Sequence, residues 1–113
     1  MSALVHWAGD VPPQPPYYAV IFSTQARDPR PGYAEMDAAT MKAAAEMSGY
    51  LGHQVTRHGD RTIFISYWRD MDGIDAWRKH GLHLAAKRRG RADWYDAYSI
   101  EICRVEHAAA FER

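Results

Sequence analysis

The segment Ser66 to Tyr95, SYWRDMDGIDAWRKHGLHLAAKRRGRADWY, holds three of the four tryptophans and two of the six histidines of the chain. Imidazole titrates near neutrality, so His80 or His83 can take a proton from a bound hydroxyl. The indole N–H of Trp77 can only donate, which suits an oxygen that is gaining negative charge. Arg69 offers a fixed cation for an anionic group. Tyr67 and Trp68 are consecutive on a strand and project to opposite faces, so only one of them can face the same space as Trp77. Trp94 brackets the histidines from the far side, and Tyr67, Trp68, Arg69 and Trp94 complete the candidate substrate contacts. Each of these residues also has a plain structural role, because aromatics on strands and helices commonly build cores.

The surrounding pattern says which elements must position them. Thr62 to Arg69 is β-branched and aromatic and reads as a strand. Asp70 is a helix cap, and a helix is predicted from about Met71 to Arg89. At 100° per residue, Ile74, Trp77, Gly81 and Leu84 share one stripe, while His80, His83 and Lys87 fall together on its flank. His83 is the preferred base, since it stands further along the helix toward the Trp94-Tyr95 corner. Upstream, Tyr17 to Thr24 is apolar on both faces, with Tyr18, Val20 and Phe22 on one and Ala19 and Ile21 on the other; this pattern predicts a central strand. Tyr33, Met36, Thr40, Ala44 and Met47 recur at helical spacing and predict core packing. Tyr50 to His58 alternates, Gly59-Asp60 suits a two-residue hairpin turn, and Tyr95 to Glu106 forms a last strand. The order β-α-β-β-α-β predicts an α+β, ferredoxin-like fold with an antiparallel sheet and both helices on one face.

Residues 1–16 carry Pro12, Pro13, Pro15 and Pro16 and read as an extended arm, with Trp7 poised to dock on a neighbouring surface; residues 17–113 form a single domain. Lys plus Arg and Asp plus Glu both number 14, so no basic excess favours nucleic acid. The longest apolar run is too short to span a bilayer and the N-terminus lacks a signal pattern, which predicts a cytoplasmic protein with no membrane partner. The single Cys103 has no internal disulfide partner and reads as a small hydrophobe in a strand. No carboxylate or thiolate completes a metal set with His80 and His83, and no glycine-rich phosphate loop or nucleotide-cofactor footprint is present. Lys87, Arg88, Arg89 and Arg91 sit where cations meet the negative end of a helix dipole. Strands apolar on both faces need a second cover, and two sheets packed face to face across a two-fold axis supply it. The chain is therefore expected to be a homodimer.

The element order, SYW at Ser66 to Trp68, Trp77 within its helix, His80 and His83, and GRADWY at Gly90 to Tyr95 resemble the antibiotic biosynthesis monooxygenase family of the dimeric α/β-barrel superfamily. YYAVIFS at Tyr17 to Ser23 and GYLG at Gly49 to Gly52 add to the resemblance, which runs from Tyr17 to about Val105. It implies a dimeric α/β barrel. The family includes cofactor-free oxygenases of aromatic polyketides, haem-degrading enzymes, quinol oxygenases and proteins with no assigned activity. In the cofactor-free and haem-degrading members a helix tryptophan lines the pocket, and Trp77 matches it. The expectation that follows is a monooxygenase acting on an aromatic or polyketide-like small molecule with dioxygen and no bound cofactor. In the haem-degrading branch the iron-ligating histidine follows that tryptophan by about ten positions, a count that lands here on Lys87, which is not a usual haem ligand. His80 or His83 on the same flank leave haem as an alternative, and a non-catalytic dimer that binds a small hydrophobic ligand is a third reading.

Overall fold

A computed structural model describes residues 4–113. Its strands are β1 (His6–Trp7), β2 (Tyr17–Ala26), β3 (Tyr50–His58), β4 (Arg61–Trp68) and β5 (Tyr95–Val105). Its helices are α1 (Tyr33–Ala45), α2 (Met71–Arg78) and α3 (Gly81–Arg89), and a π-helical turn covers Gly90–Trp94. The sheet is antiparallel in the order β1-β3-β4-β2-β5, so β2 is central, flanked by β4 and β5. Strands β2 to β5 with α1 and the α2–α3 region give the ferredoxin-like arrangement. Among the described residues no helix is long and apolar enough to cross a membrane.

Register assigns the two faces. Tyr18, Val20 and Phe22 lie opposite Trp68, Ser66 and Phe64, while Ala19, Ile21 and Ser23 lie opposite Tyr67, Ile65 and Ile63. Trp68 stacks on Trp77 of α2 and Phe22 meets Tyr95 edge-on, which identifies the first set as the helix face. Gly59, at φ +61, makes the tight turn between β3 and β4 together with Asp60. Along α1, Ala44 is buried and Met36 and Thr40 are half-buried, as their spacing predicts, with Met47 half-buried just beyond the helix end.

The helix expected to run unbroken from Met71 to Arg89 is two helices. Asp70 caps the first as predicted, its Oδ1 accepting from the Gly73 N–H at 2.8 Å. The break falls at His80, whose backbone is extended (φ −65, ψ 133) and whose Nδ1 accepts from the Leu82 N–H at 3.1 Å. Gly81 explains the weakness of the junction, since glycine in a helix interior costs about 1 kcal/mol relative to alanine. The histidine therefore serves as an N-cap. One consequence is that the predicted stripe does not continue: Ile74 is buried but Leu84 is 43% exposed.

The face away from the helices is partly covered by the chain's own arm. Within residues 1–16 a short strand forms, His6 and Trp7 pairing with His53 and Gly52 of β3. The Trp7 ring packs at 4.9 Å from Tyr67 and 5.9 Å from Tyr17, and Tyr17, Ala19 and Tyr67 are buried with Trp7 and Val5 against them. Farther along β4, Ile63 on the same face remains 48% exposed. Gly52 allows the close approach: a Cβ there would sit 2.5 Å from the His6 carbonyl oxygen and 3.0 Å from Trp7 Cα. Gly52→Ala is accordingly expected to push β1 off β3 and lower stability by about 1–3 kcal/mol. Urea denaturation measures this, and an unchanged midpoint would refute the account.

Candidate active site

Trp77 is the hub of the candidate site. Its ring stacks on Trp68 (6.4 Å between centroids, 26°) and on His83 (4.9 Å, 28°), and His80 lies tilted at 5.3 Å. Trp68 is fully buried and its N–H donates to Ser66 Oγ at 2.9 Å, so it walls the site without a free polar atom. The N–H of Trp77 has no acceptor among the described residues.

The two histidines differ in kind. His80 spends Nδ1 on capping α3. His83 has a buried Nδ1 with no hydrogen-bond partner among the described residues. Burial pushes the His83 imidazole below its ordinary 6.5, Lys87 and His80 add to this, and the backbone carbonyls of Arg78 and Trp77 oppose it. Stacked on the indole, the ring keeps a buried nitrogen without a hydrogen-bond partner among the described residues.

The structure does not bring the remaining sequence candidates to Trp77. Tyr67 lies on the opposite sheet face, where its hydroxyl accepts from Gln54 Nε2 at 2.7 Å. Arg69, at the end of β4, lines a cleft of about 580 Å³ beneath the proline arm, with Pro12, Pro13, Pro16, Tyr17 and Leu51 among its other walls. Trp94 is buried in the π turn, and its N–H donates to the Pro31 carbonyl at 2.9 Å while Tyr33 packs edge-on at 5.5 Å. Gly90 permits that turn, because a Cβ there would meet the Tyr95 ring at 2.8 Å. Trp94 thus anchors the start of β5.

Two groups that sequence reasoning passed over lie on the helix face. Tyr50 Oη and His53 Nδ1 are 2.7 Å apart, Tyr50 meets Trp68 edge-on at 5.6 Å, and His53 stacks on Phe64 at 5.7 Å. In a regular strand residues three apart face opposite ways. A register shift between Tyr50 and Gly52 puts both on one side, Tyr50 opposite Trp68 and His53 opposite Ser66. Their signal in the sequence is only the glycine that permits the bulge. The second group is electrostatic: the Asp37 carboxyl is raised by partial burial, opposed by Arg57, Arg30 and His53. Tyr95 is raised above the ordinary tyrosine value by burial first, then by Tyr33 and Asp37.

The residues present do not fit the haem site of the family. The position about ten beyond Trp77 is Lys87, an exposed cation, and the His83 ring is stacked on the Trp77 ring. Among the described residues no three His, Cys, Asp or Glu side chains gather as a metal site.

Comparison with known proteins agrees with the fold. Residues 17–89 match the family model of the antibiotic biosynthesis monooxygenases, and the chain belongs to that family. It is 42% identical over 101 residues, 88% of this chain and 89% of the other, to the uncharacterized protein YqjZ of Bacillus subtilis. Among solved structures it is similar to SnoaB, a cofactor-independent oxygenase from Streptomyces nogalater, with a TM-score of 0.70 at 14% identity over 83% of this chain and 97% of that one. It is also similar to Rv0793 from Mycobacterium tuberculosis, with a TM-score of 0.72 at 14% identity over 83% and 99% of the two chains. At such identities the two structures speak for the fold alone.

The orphaned His83 has a thermodynamic consequence. Its folded value lies below its unfolded one, so the unfolded chain binds the proton first and stability present above about pH 6.5 is lost as pH falls. His53 is lowered too, by burial first and then by His6, and works in the same sense. Thermal melts between about pH 7.5 and pH 5 should show a falling midpoint in the wild type and a shallower fall in His83→Gln. Parallel curves would mean that the ring takes up its proton as readily in the fold as in the unfolded chain.

Proposed function

We propose that this protein is a monooxygenase acting on a phenolic aromatic or polyketide-like small molecule with dioxygen and no bound cofactor, and that it works as a homodimer. The observation carrying this reading is the stacking on Trp77 of His83, whose buried Nδ1 has no hydrogen-bond partner among the described residues and is an acceptor when unprotonated, in otherwise aromatic surroundings. A phenol satisfies such an acceptor. Its proton passes to His83 Nδ1, leaving an electron-rich phenolate in a site where neighbouring rings exclude water. The phenolate gives one electron to dioxygen, producing a substrate radical and superoxide, whose combination forms a new C–O bond to a peroxide; the proton held by His83 returns to it, and loss of water with the hydrogen of that carbon breaks the O–O bond and leaves a quinone, one oxygen in the product and one in water. The Trp77 N–H stabilises the negative oxygen while it lasts. His80, already used as a cap, holds α3 and hence His83 in place.

Oxygen uptake with a panel of hydroxylated polycyclic aromatics tests the reading. His83→Gln should cost about 10² to 10⁴ in rate, the range for losing a general base. His80→Gln is expected to lower stability more than rate, through the lost cap. Turnover should survive chelators. Binding without oxygen uptake for every compound would favour the non-catalytic ligand-binding dimer.

For the dimer, support comes from the apolar face of β2 and β4 beyond the reach of Trp7, where Ile21, Ile63 and Ile65 line up. Light scattering should return twice the 12.9 kDa chain mass. Ile63→Asp, which alters a side chain already half exposed in one subunit, should leave the subunit folded and dissociate the pair, since a buried unpaired charge costs several kcal/mol. A mass of one chain for the wild type would refute the barrel.

A further inference from the structure

We propose that Trp77, Trp68 and Tyr50 form a one-electron path that drains oxidising equivalents from the candidate site, ending on Tyr50 with His53 as its proton acceptor. The rings are continuous. Trp77 lies 6.4 Å from Trp68 and Trp68 lies 5.6 Å from Tyr50, centroid to centroid, with no intervening side chain needed for either hop. Electron tunnelling falls steeply with separation, so adjacent rings exchange an electron far faster than rings set apart in the fold.

The three stations differ in ways that give the path a direction. Trp68 is fully buried and its N–H is held by Ser66 Oγ, a poor base, so an oxidised Trp68 cannot readily shed its proton and stay trapped there. Tyr50 is the opposite case. A phenol becomes strongly acidic on losing an electron, and tyrosine oxidation is easy only where a base stands ready. His53 Nδ1 stands 2.7 Å from the phenolic oxygen. The Tyr50 hydroxyl has no other acceptor among the described residues, so its O–H donates to Nδ1 and the neutral ring carries its proton on Nε2. His53 is half-buried on β3 and pairs with His6 of the edge strand β1, whose exposed ring is 5.2 Å away, so its excess proton can leave to solvent.

A one-electron oxidant of the peroxyl class, or a photo-generated metal-complex oxidant in the laboratory, takes an electron from Trp77 and is reduced by one. Trp68 refills Trp77, and Tyr50 refills Trp68 while its phenolic proton moves to His53 Nδ1. The products are a neutral phenoxyl radical and an imidazolium. The path itself does not depend on the oxygenase reading; only its use as a guard for an oxygen-handling site rests on it.

Flash-quench oxidation with tris-bipyridine ruthenium and a persulfate quencher, followed by transient absorption and electron paramagnetic resonance, tests the path without any substrate. In the wild type a tryptophanyl signal should decay into a tyrosyl one. Tyr50→Phe, which keeps the ring, should lengthen the tryptophanyl lifetime several-fold and remove that tyrosyl signal. His53→Gln should slow tyrosyl formation several-fold, and heavy water should slow it in the wild type, a measurement that needs no variant to fold. Wild-type kinetics in Tyr50→Phe would place the radical on another of the seven tyrosines and overturn the path. Absence of both the isotope effect and the His53→Gln effect would overturn the proton acceptor.

Discussion

Complete burial of Trp68 is the constraint on which the rest of the molecule depends. An indole of this size removes about 150–250 Å² of surface from water, more than any neighbour in this small core can match. Its position at the end of β4 makes it the meeting point of three elements. It lies opposite Tyr18 of the central strand and Tyr50 of β3, and it supports Trp77 from α2. For α2 to come close enough, its first turn must be small at the contact. Gly73 supplies this, since a Cβ there would stand 3.4 Å from the Trp68 ring and 3.1 Å from the Ser48 carbonyl. Asp70 then caps the helix that seats Trp77, its Oδ1 accepting from the Gly73 N–H.

From that seat the chemistry divides along the helix break. A continuous helix would leave His80 and His83 as near equivalents on one flank. Interrupting it at His80 consumes the Nδ1 of one imidazole in the backbone and leaves the Nδ1 of the other buried and unpaired. A buried polar atom without a partner costs about 1–3 kcal/mol, a cost that folds tend to carry only where something is gained. The same economy shows in Trp68 and Trp94, whose N–H groups are both satisfied internally, in contrast to Trp77. Among the described residues the buried side-chain polar atom left without a partner is His83 Nδ1.

The arm modifies the view of a sheet apolar on both faces. Trp7 lies over Tyr17 and Tyr67, so one end of the face away from the helices is covered within the chain. Its presence also extends the sheet by one strand beyond β3 and brings His6 beside His53. The arm and the helices thus contribute to opposite faces of one sheet, and β4 touches both, Tyr67 meeting Trp7 and Trp68 meeting Trp77. Arg69 is drawn to the arm's cleft for the same topological reason: it follows Trp68 on the strand and has passed beyond the helix seat.

Periodicity made the element order, the hairpin at Gly59-Asp60, the central place of β2 and the division of its faces legible from the sequence, because apolar alternation and helical spacing are local signals. That His80 and His83 gather beside Trp77 was legible too, from helical spacing along their segment. Three things were decided only by tertiary structure. The helix break turned on a cap hydrogen bond made by a side chain, which spacing cannot distinguish from a helical histidine. Tyr50 and His53 share a face only through the bulge at Gly52, and a one-residue shift in register reverses every side chain that precedes it. Tyr67, Arg69 and Trp94 stood near Trp77 in sequence, yet the sheet sends the first through to the other face, and the strand end and the π turn carry the other two away; adjacency along a chain fixes distance, while the direction of a side chain is set by what it packs against.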